Sequence, residues 1–204
     1  MFQTFDAPTL PDQGPPRLAA LRAQIAAEGL DGFLVPRADA HQGEYVAAPD
    51  QRLAWLTGFT GSAGFAAVLT DIAGVFIDGR YTLQVRDQVA DQFTPVAWPG
   101  TKLGDWLAEK RPDGGRIGFD PWLHTRAEVE AVEKAAPNIV LVATDNLIDR
   151  IWDDQPAPPA GKAIPHPIEF AGEKSGDKRT RIAAAIKQDG QRAAVLTLPD
   201  SICW

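Results

Sequence analysis

Residues 65–81 read FAAVLTDIAGVFIDGRY. Two apolar runs, Phe65 to Leu69 and Gly74 to Ile77, flank the turn-like pair Thr70-Asp71, which predicts an antiparallel hairpin. After Asp78-Gly79 the period changes. Tyr81, Val85, Val89 and Phe93 lie four apart, the spacing of one buried helix face. Upstream, Leu18, Leu21 and Ile25 recur at helical spacing, Gly29 reads as a helix stop, and Phe33-Leu34-Val35 is a short buried strand closed by Pro36. Downstream, the pattern predicts a helix over Lys102 to Lys110 and strands at Arg116 to Phe119 and Ile139 to Val142. Between those strands Thr125, with Glu128 three residues on, is a capping-box signature opening a helix. Leu147, Ile148, Ile151 and Trp152 form one more helical face. Strands and helices alternate around a hairpin, so the predicted fold class is α/β, a mixed β-sheet flanked by helices.

The chain has 204 residues, of which 45% are hydrophobic and 23% charged; this excludes a disordered chain and supplies enough apolar material for a core. Lys plus Arg is 20 against 27 Asp plus Glu, a formal charge of -7. That balance argues against nucleic acid or an anionic membrane as the main partner, because phosphate binding needs clustered cations. A single cysteine, Cys203, cannot form an internal disulfide. The first residues, MFQTFDAPTLPDQGPP, show no signal-peptide pattern, and no stretch reaches the roughly 18 to 20 apolar residues of a membrane helix. A soluble, cytoplasmic protein is the expectation.

Pro8, Pro11, Pro15 and Pro16 predict an extended leader over residues 1–16. Five prolines between 155 and 170 predict a stiff connector. Beyond it, Ile182 and Ile186 begin a helix, Gly190 closes it, and Ala193 to Leu198 reads as a strand ending at Pro199. The stretches 17–36 and 179–199 therefore share one order of helix, glycine, strand and proline, a candidate duplication. A lone helix and strand cannot bury their apolar faces. The expected organisation is a domain at 1–157, a proline-rich linker at 158–175, and the truncated start of a second, related domain at 176–204.

His41, His124 and His166 are far apart, and no local spacing supplies the three or more ligands of a zinc or two-metal centre, so each reads as a surface or hydrogen-bonded residue. Gly61-Ser62-Ala63-Gly64 fails as a nucleophile elbow because residue 60 is Thr, and as a phosphate loop because it leads into a strand. Its glycines read as tight-turn residues. Trp98, Trp106, Trp122 and Trp152 read as core or interface anchors. Asp78-Gly79-Arg80-Tyr81 follows a buried strand, where loops of α/β proteins face ligand clefts. Arg80 there offers a planar fork for a carboxylate or carbonyl, or else pairs with an internal Asp or a helix end; both readings stay open. His41-Gln42-Gly43-Glu44-Tyr45 is a second polar loop of the same character.

Three stretches taken together resemble the amino-terminal domain of the aminopeptidase P (Xaa-Pro aminopeptidase) family. They are Asp39 to Tyr45, Leu56-Thr57-Gly58-Phe59-Thr60-Gly61-Ser62-Ala63-Gly64, and Asp78-Gly79-Arg80-Tyr81 with Leu83-Gln84. Asn146-Leu147-Ile148-Asp149 with Ile151-Trp152, before the proline-rich link, resembles the exit from that domain. The internal repeat is similar to the plan of the long, three-domain form, in which two related creatinase/prolidase-type domains of ribonuclease H-like fold precede a catalytic domain. The resemblance implies a metallopeptidase that releases the residue before a proline at the second position of a peptide. It implies two manganese ions held by Asp, Asp, His, Glu and Glu of the catalytic domain. No catalytic or metal residue, and no cofactor, is then expected in this chain. It implies that Arg80 reaches the substrate and that His41 and Tyr45 lie on the cleft wall. The implied partners are the peptide, the catalytic domain and a second copy of the full-length protein. The competing reading is a partner-binding module related to peptidases that lost their activity.

Overall fold

Strand β1 (Gly32–Pro36) is apolar along its length because both of its faces are covered. In the computed structural model, which describes residues 9–204, it lies inside a six-stranded sheet. The other strands are β2 (Gly64–Leu69), β3 (Ala73–Ile77), β4 (Thr94–Ala97), β5 (Gly115–Phe119) and β6 (Ile139–Ala143), in the order β4-β3-β2-β1-β5-β6. β2 is antiparallel to β1 and β3, and every other neighbouring pair is parallel. The expected hairpin is present, with Phe65 opposite Phe76 and Val68 opposite Ala73.

Alternation along the strands divides the apolar side chains between two cores. Phe33, Val35, Ala66, Val68, Val75 and Ile77 face one side. There they meet Leu18, Leu21 and Ile25 of α1 (Gly14–Ala27), Leu53 and Leu56 of α2 (Arg52–Thr57), and Val85 of α3 (Gln84–Gln88). Leu34, Ala67, Leu69, Phe76, Ile117 and Phe119 face the other side. They pack against Trp106 and Leu107 of α4 (Leu103–Lys110) and Val132 of α5 (Arg126–Ala135). The capping box opening α5 forms as expected: Thr125 N donates to Glu128 Oε2 at 2.7 Å, and Glu128 N donates to Thr125 Oγ1 at 3.3 Å.

Several local expectations are corrected. Of the leader, residues 1–8, including Pro8, lie outside the described residues. Pro11 instead opens a 3-10 turn, Pro11–Gln13, and Pro15 and Pro16 occupy the first turn of α1, where no backbone N–H is required. The face Tyr81, Val85, Val89, Phe93 is not one helix. It is a 3-10 turn, Gly79–Tyr81, then α3, which ends where Val89 turns extended. Val85 and Phe93 nevertheless reach the first core. Leu147, Ile148, Ile151 and Trp152 also reach it, from hydrogen-bonded turns rather than a helix. Trp106 and Trp152 are core residues as expected, whereas Trp98 and Trp122 stand exposed. β4 is a strand that the sequence pattern did not announce.

The chain divides into two compact units, Met1–Pro158 and Pro159–Trp204. The second contains α6 (Ile168–Ala171), α7 (Ser175–Gln188) and α8 (Pro199–Cys203). Gly190 does follow the long helix, at a φ of 73°. The strand expected at Ala193 to Leu198 is not formed, because this unit offers no strand edge to complete its hydrogen bonds.

Candidate functional site

Because only β2 is reversed, the carboxyl ends of β1, β3, β4, β5 and β6 lie along one edge of the sheet, beside the first residue of β2. Ligand clefts of open α/β sheets form at such an edge, because the connecting loops leave the sheet there. The segment carrying His41 and Tyr45 follows β1, the segment carrying Arg80 follows β3, and Gly61-Ser62-Ala63 precedes β2. All three sequence-derived site residues therefore sit on loops of one edge.

Arg80 is the best-held of them. Its Nε is 3.0 Å and its Nη2 2.6 Å from Asp78 Oδ2, while the Arg80 backbone N–H donates to Asp78 Oδ1 at 2.9 Å. One carboxylate thus caps the 3-10 turn and grips the guanidinium, so the pairing of Arg80 with an internal Asp is the arrangement observed. The hydrogen bonds from Arg80 hold Asp78 below the usual carboxylate range, and the same bonds raise Arg80 above its ordinary value. The Nε/Nη2 fork is taken by Asp78, but the Arg80 side chain is still 65% exposed, so its remaining N–H groups face solvent.

The guanidinium also lies 5.1 Å from the centre of the Tyr81 ring. Tyr81 is fixed in turn: its hydroxyl is 2.6 Å from Ser62 Oγ, and its ring meets Phe59 edge-on at 5.5 Å. Gly61 is required between these rings, since a Cβ there would fall 2.2 Å from Phe59 Cζ and 2.9 Å from Tyr81 Cδ1. Gly58 is held to glycine as well, with φ of 85° and a position where a Cβ would fall 2.3 Å from the Gln88 carbonyl oxygen.

His41 and Tyr45 are arranged more loosely. Asp39 Oδ1 accepts from the backbone N–H groups of His41 (2.9 Å) and Gly43 (3.0 Å), which curls the loop and leaves Gln42 at a φ of 55°. The His41 ring is exposed, and Tyr45 is 90% exposed. The charge of Glu44, beside Tyr45, adds a small contribution to the raised value of Arg80, after that of Asp78. Arg37 Nη2 donates to the Glu44 carbonyl oxygen at 2.9 Å and ties the loop back to the end of β1.

The sequence missed a cleft of about 470 Å³ on the second-core side of the same edge, between the sheet and the starts of α4 and α5. Phe65, Trp98, Lys102, His124 and Val132 are among its lining residues, drawn from segments remote in sequence. The available signal was a polar or aromatic residue directly after each parallel strand, legible only once strand order is known. Among the described residues no group of three or more His, Cys, Asp or Glu is placed to hold a metal ion.

Residues 17–151, well over half of the chain, match the family model described as the Creatinase/Prolidase N-terminal domain. The chain belongs to this family. Residues 154–204 match a second model of the same description. The mixed six-stranded sheet with helices on both faces is the fold of solved members. An X-prolyl aminopeptidase from Caenorhabditis elegans, described as a cytosolic enzyme with a di-nuclear active site, superposes with a TM-score of 0.80 at 28% identity, covering 94% of this chain and 34% of that one. The N-terminal domain of the cytoplasmic peptidase PepQ from Mycobacterium tuberculosis superposes at 0.52 with 27% identity, covering 67% of this chain and 98% of that one. Among curated relatives, a probable Xaa-Pro aminopeptidase P of Coccidioides posadasii is 35% identical across 98% of this chain, and aminopeptidase P1 of Arabidopsis thaliana is 32% identical across 92%. The chain spans only 32% and 30% of the lengths of those two proteins.

Proposed function

We propose that this chain is the non-catalytic amino-terminal portion of an Xaa-Pro aminopeptidase, where it shapes the substrate cleft and the assembly. One observation carries the reading: nearly the whole chain aligns, at 35% identity, with about a third of a protein named for that activity. Relatives named as aminopeptidases favour it over a partner-binding module. The chain would form a first creatinase/prolidase-type domain at 1–157, a linker at 158–175, and the start of a second such domain from 176. The reading includes a cytoplasmic location, supported by the cytosolic worm relative, and a homodimer of the full-length protein. It also includes two manganese ions. The described residues offer no donor set for them, so the reading places them in a catalytic domain outside this chain.

Proline at the second position removes the amide hydrogen and fixes φ, so ordinary backbone contacts to that residue fail. Binding must then come from elsewhere on the peptide. Arg80, gripped by Asp78 yet open, would donate its remaining N–H groups to a distal peptide carbonyl or carboxylate, and His41 and Tyr45 would form the adjoining wall. That contribution is orientation and not bond chemistry.

Incubating the 204-residue chain with manganese and a Xaa-Pro peptide is expected to release no amino-terminal residue; turnover by the chain alone would overturn its non-catalytic assignment. In the full-length enzyme, Arg80→Ala is expected to lower kcat/KM about tenfold, the loss of one charge-assisted contact, with metal content unchanged. Kinetics equal to the parent's would remove Arg80 from the substrate site.

A further inference from the structure

We propose that the cleft between α4, α5 and the carboxyl edge of the sheet is a binding site for a small carboxylate with an apolar, flat body. No residue of the Arg80 cluster lines it: Tyr81 packs against the first core, whereas this cleft opens beside the second.

Its size comes first. About 470 Å³ lies within the range of sites that take small organic ligands. The body of the site is apolar. Leu34, Phe65, Trp98, Pro99, Leu103 and Val132 contribute walls, and Phe65 is itself held rigid by stacking on Phe76 at 4.4 Å and by the edge of Trp98 at 6.1 Å. A fixed aromatic wall suits a flat ligand, because little side-chain freedom is lost on binding. Small residues, Ala63, Gly64, Ala131 and Ala135, keep the space open.

Charge selects the polar end. Lys102 and Arg37 line the cleft, and Lys102 stands exposed at the start of α4. No side chain caps that helix start, so its first N–H groups and the positive end of its dipole add to the same field. Glu128 is the acid lining the cleft, and its Oε2 is already occupied by Thr125 N at 2.7 Å and Thr125 Oγ1 at 2.9 Å. His124 does not anchor the carboxylate: its Nδ1 lies 2.9 Å from the Asp120 carbonyl oxygen, which can only accept, so Nδ1 carries the proton and Nε2 of the neutral ring is an acceptor facing the apolar body of the ligand. The roof is braced by Gln42, whose Nε2 donates to the Leu123 carbonyl oxygen at 3.1 Å and joins the loops after β1 and β5. Apolar walls lined by two cations, Lys102 and Arg37 (the latter also donating to the Glu44 carbonyl oxygen), against one acid match an aryl-alkanoate and mismatch a cation or a sugar.

The probe is 3-phenylpropionate, with 3-phenylpropan-1-ol as its uncharged counterpart, titrated into the 204-residue chain and followed by amide and indole NMR shifts. Binding is expected at a Kd of about 1 mM or tighter for a ligand of this size, with shifts at Trp98, His124 and the start of α4. The alcohol is expected to bind at least about tenfold more weakly. Lys102→Glu, on an exposed residue, is expected to weaken the carboxylate about tenfold and leave the alcohol unchanged. Ala131→Phe, which fills the space from the exposed side of α5, is expected to abolish both. Circular dichroism melting of each variant confirms that the fold is kept. Equal affinity for acid and alcohol, an unchanged Kd in Lys102→Glu, or shifts confined to other parts of the chain would each overturn the proposal. The site needs no peptidase activity, so these outcomes are independent of the proposed function.

Discussion

Phe33→Ala is expected to destabilise the sheet unit by about 3–5 kcal/mol, which lowers its melting temperature by about 10 °C. Phe33 is completely buried in the centre of β1, paired to Val68 of β2 on one side and Gly118 of β5 on the other. Gly118 has no side chain, and the Phe33 ring occupies that space: a Cβ on Gly118 would stand 2.9 Å from Phe33 Cδ2 and 2.7 Å from Leu30 Cδ1. Truncating Phe33 therefore removes an aromatic ring from a two-sided core and leaves a hole that β5 cannot fill. The pair provides an internal check. Gly118→Ala alone is expected to destabilise by overpacking, and to cost less in the Phe33→Ala background, where the space is vacant. Thermal melts of the four proteins measure the coupling. Strict additivity would show that Phe33 and Gly118 do not share that space.

Arg52→Ala is the second large effect, expected at about 3 kcal/mol by thermal or denaturant melting. Arg52 is only 9% exposed and begins α2. It clamps Asp149 with two bonds, Nε–Oδ1 at 2.6 Å and Nη2–Oδ2 at 2.9 Å, and reaches Asp50 Oδ1 with Nη1 at 2.8 Å. Burial works against the charge, but the hydrogen bonds and charges of Asp149 and Asp50 outweigh it and raise Arg52 above its ordinary value. Gln155 extends the same knot, donating to Asp149 Oδ1 and the Pro49 carbonyl oxygen, both at 2.9 Å. Removing the guanidinium leaves two facing carboxylates and releases the turns of 147–152 from α2. Arg52→Lys keeps the charge but loses the fork, so an intermediate loss is expected. A change within about 0.5 kcal/mol for Arg52→Ala, the size of an ordinary surface substitution, would mean that the turns hold without the clamp.

The two apolar stretches misread as helices share a physical cause. Apolar residues at intervals of three and four report that a segment is buried on one side. They do not report which hydrogen bonds its backbone makes. In α3 the run is cut at Gln88, whose side chain accepts from Thr60 N at 3.0 Å, after which Val89 turns extended. Around 147–152 the Asn146 side chain accepts from Ile148 N at 3.1 Å and the Asp149 side chain serves Arg52, favouring turns over a helix. β4 escaped notice because Pro95 interrupts a short run. At the edge of the sheet that proline is tolerated, since one side of the strand needs no donor.

The candidate site divides along the same line. Asp78, Arg80 and Tyr81 were legible because they are contiguous, and the grip of Asp78 on Arg80 spans only two residues. The tie from Tyr81 to Ser62 was not, and neither was the cleft, because their partners are distant in the chain. Local chemistry by itself determined the hairpin, the α5 cap, the glycine turns and the two-sided burial of the central strands, since each depends on neighbours within a few residues. Tertiary structure decided strand order, the end of α3, and which loops meet at one edge. Those outcomes arise from competition between side chains that only the folded sheet brings within hydrogen-bonding or packing distance.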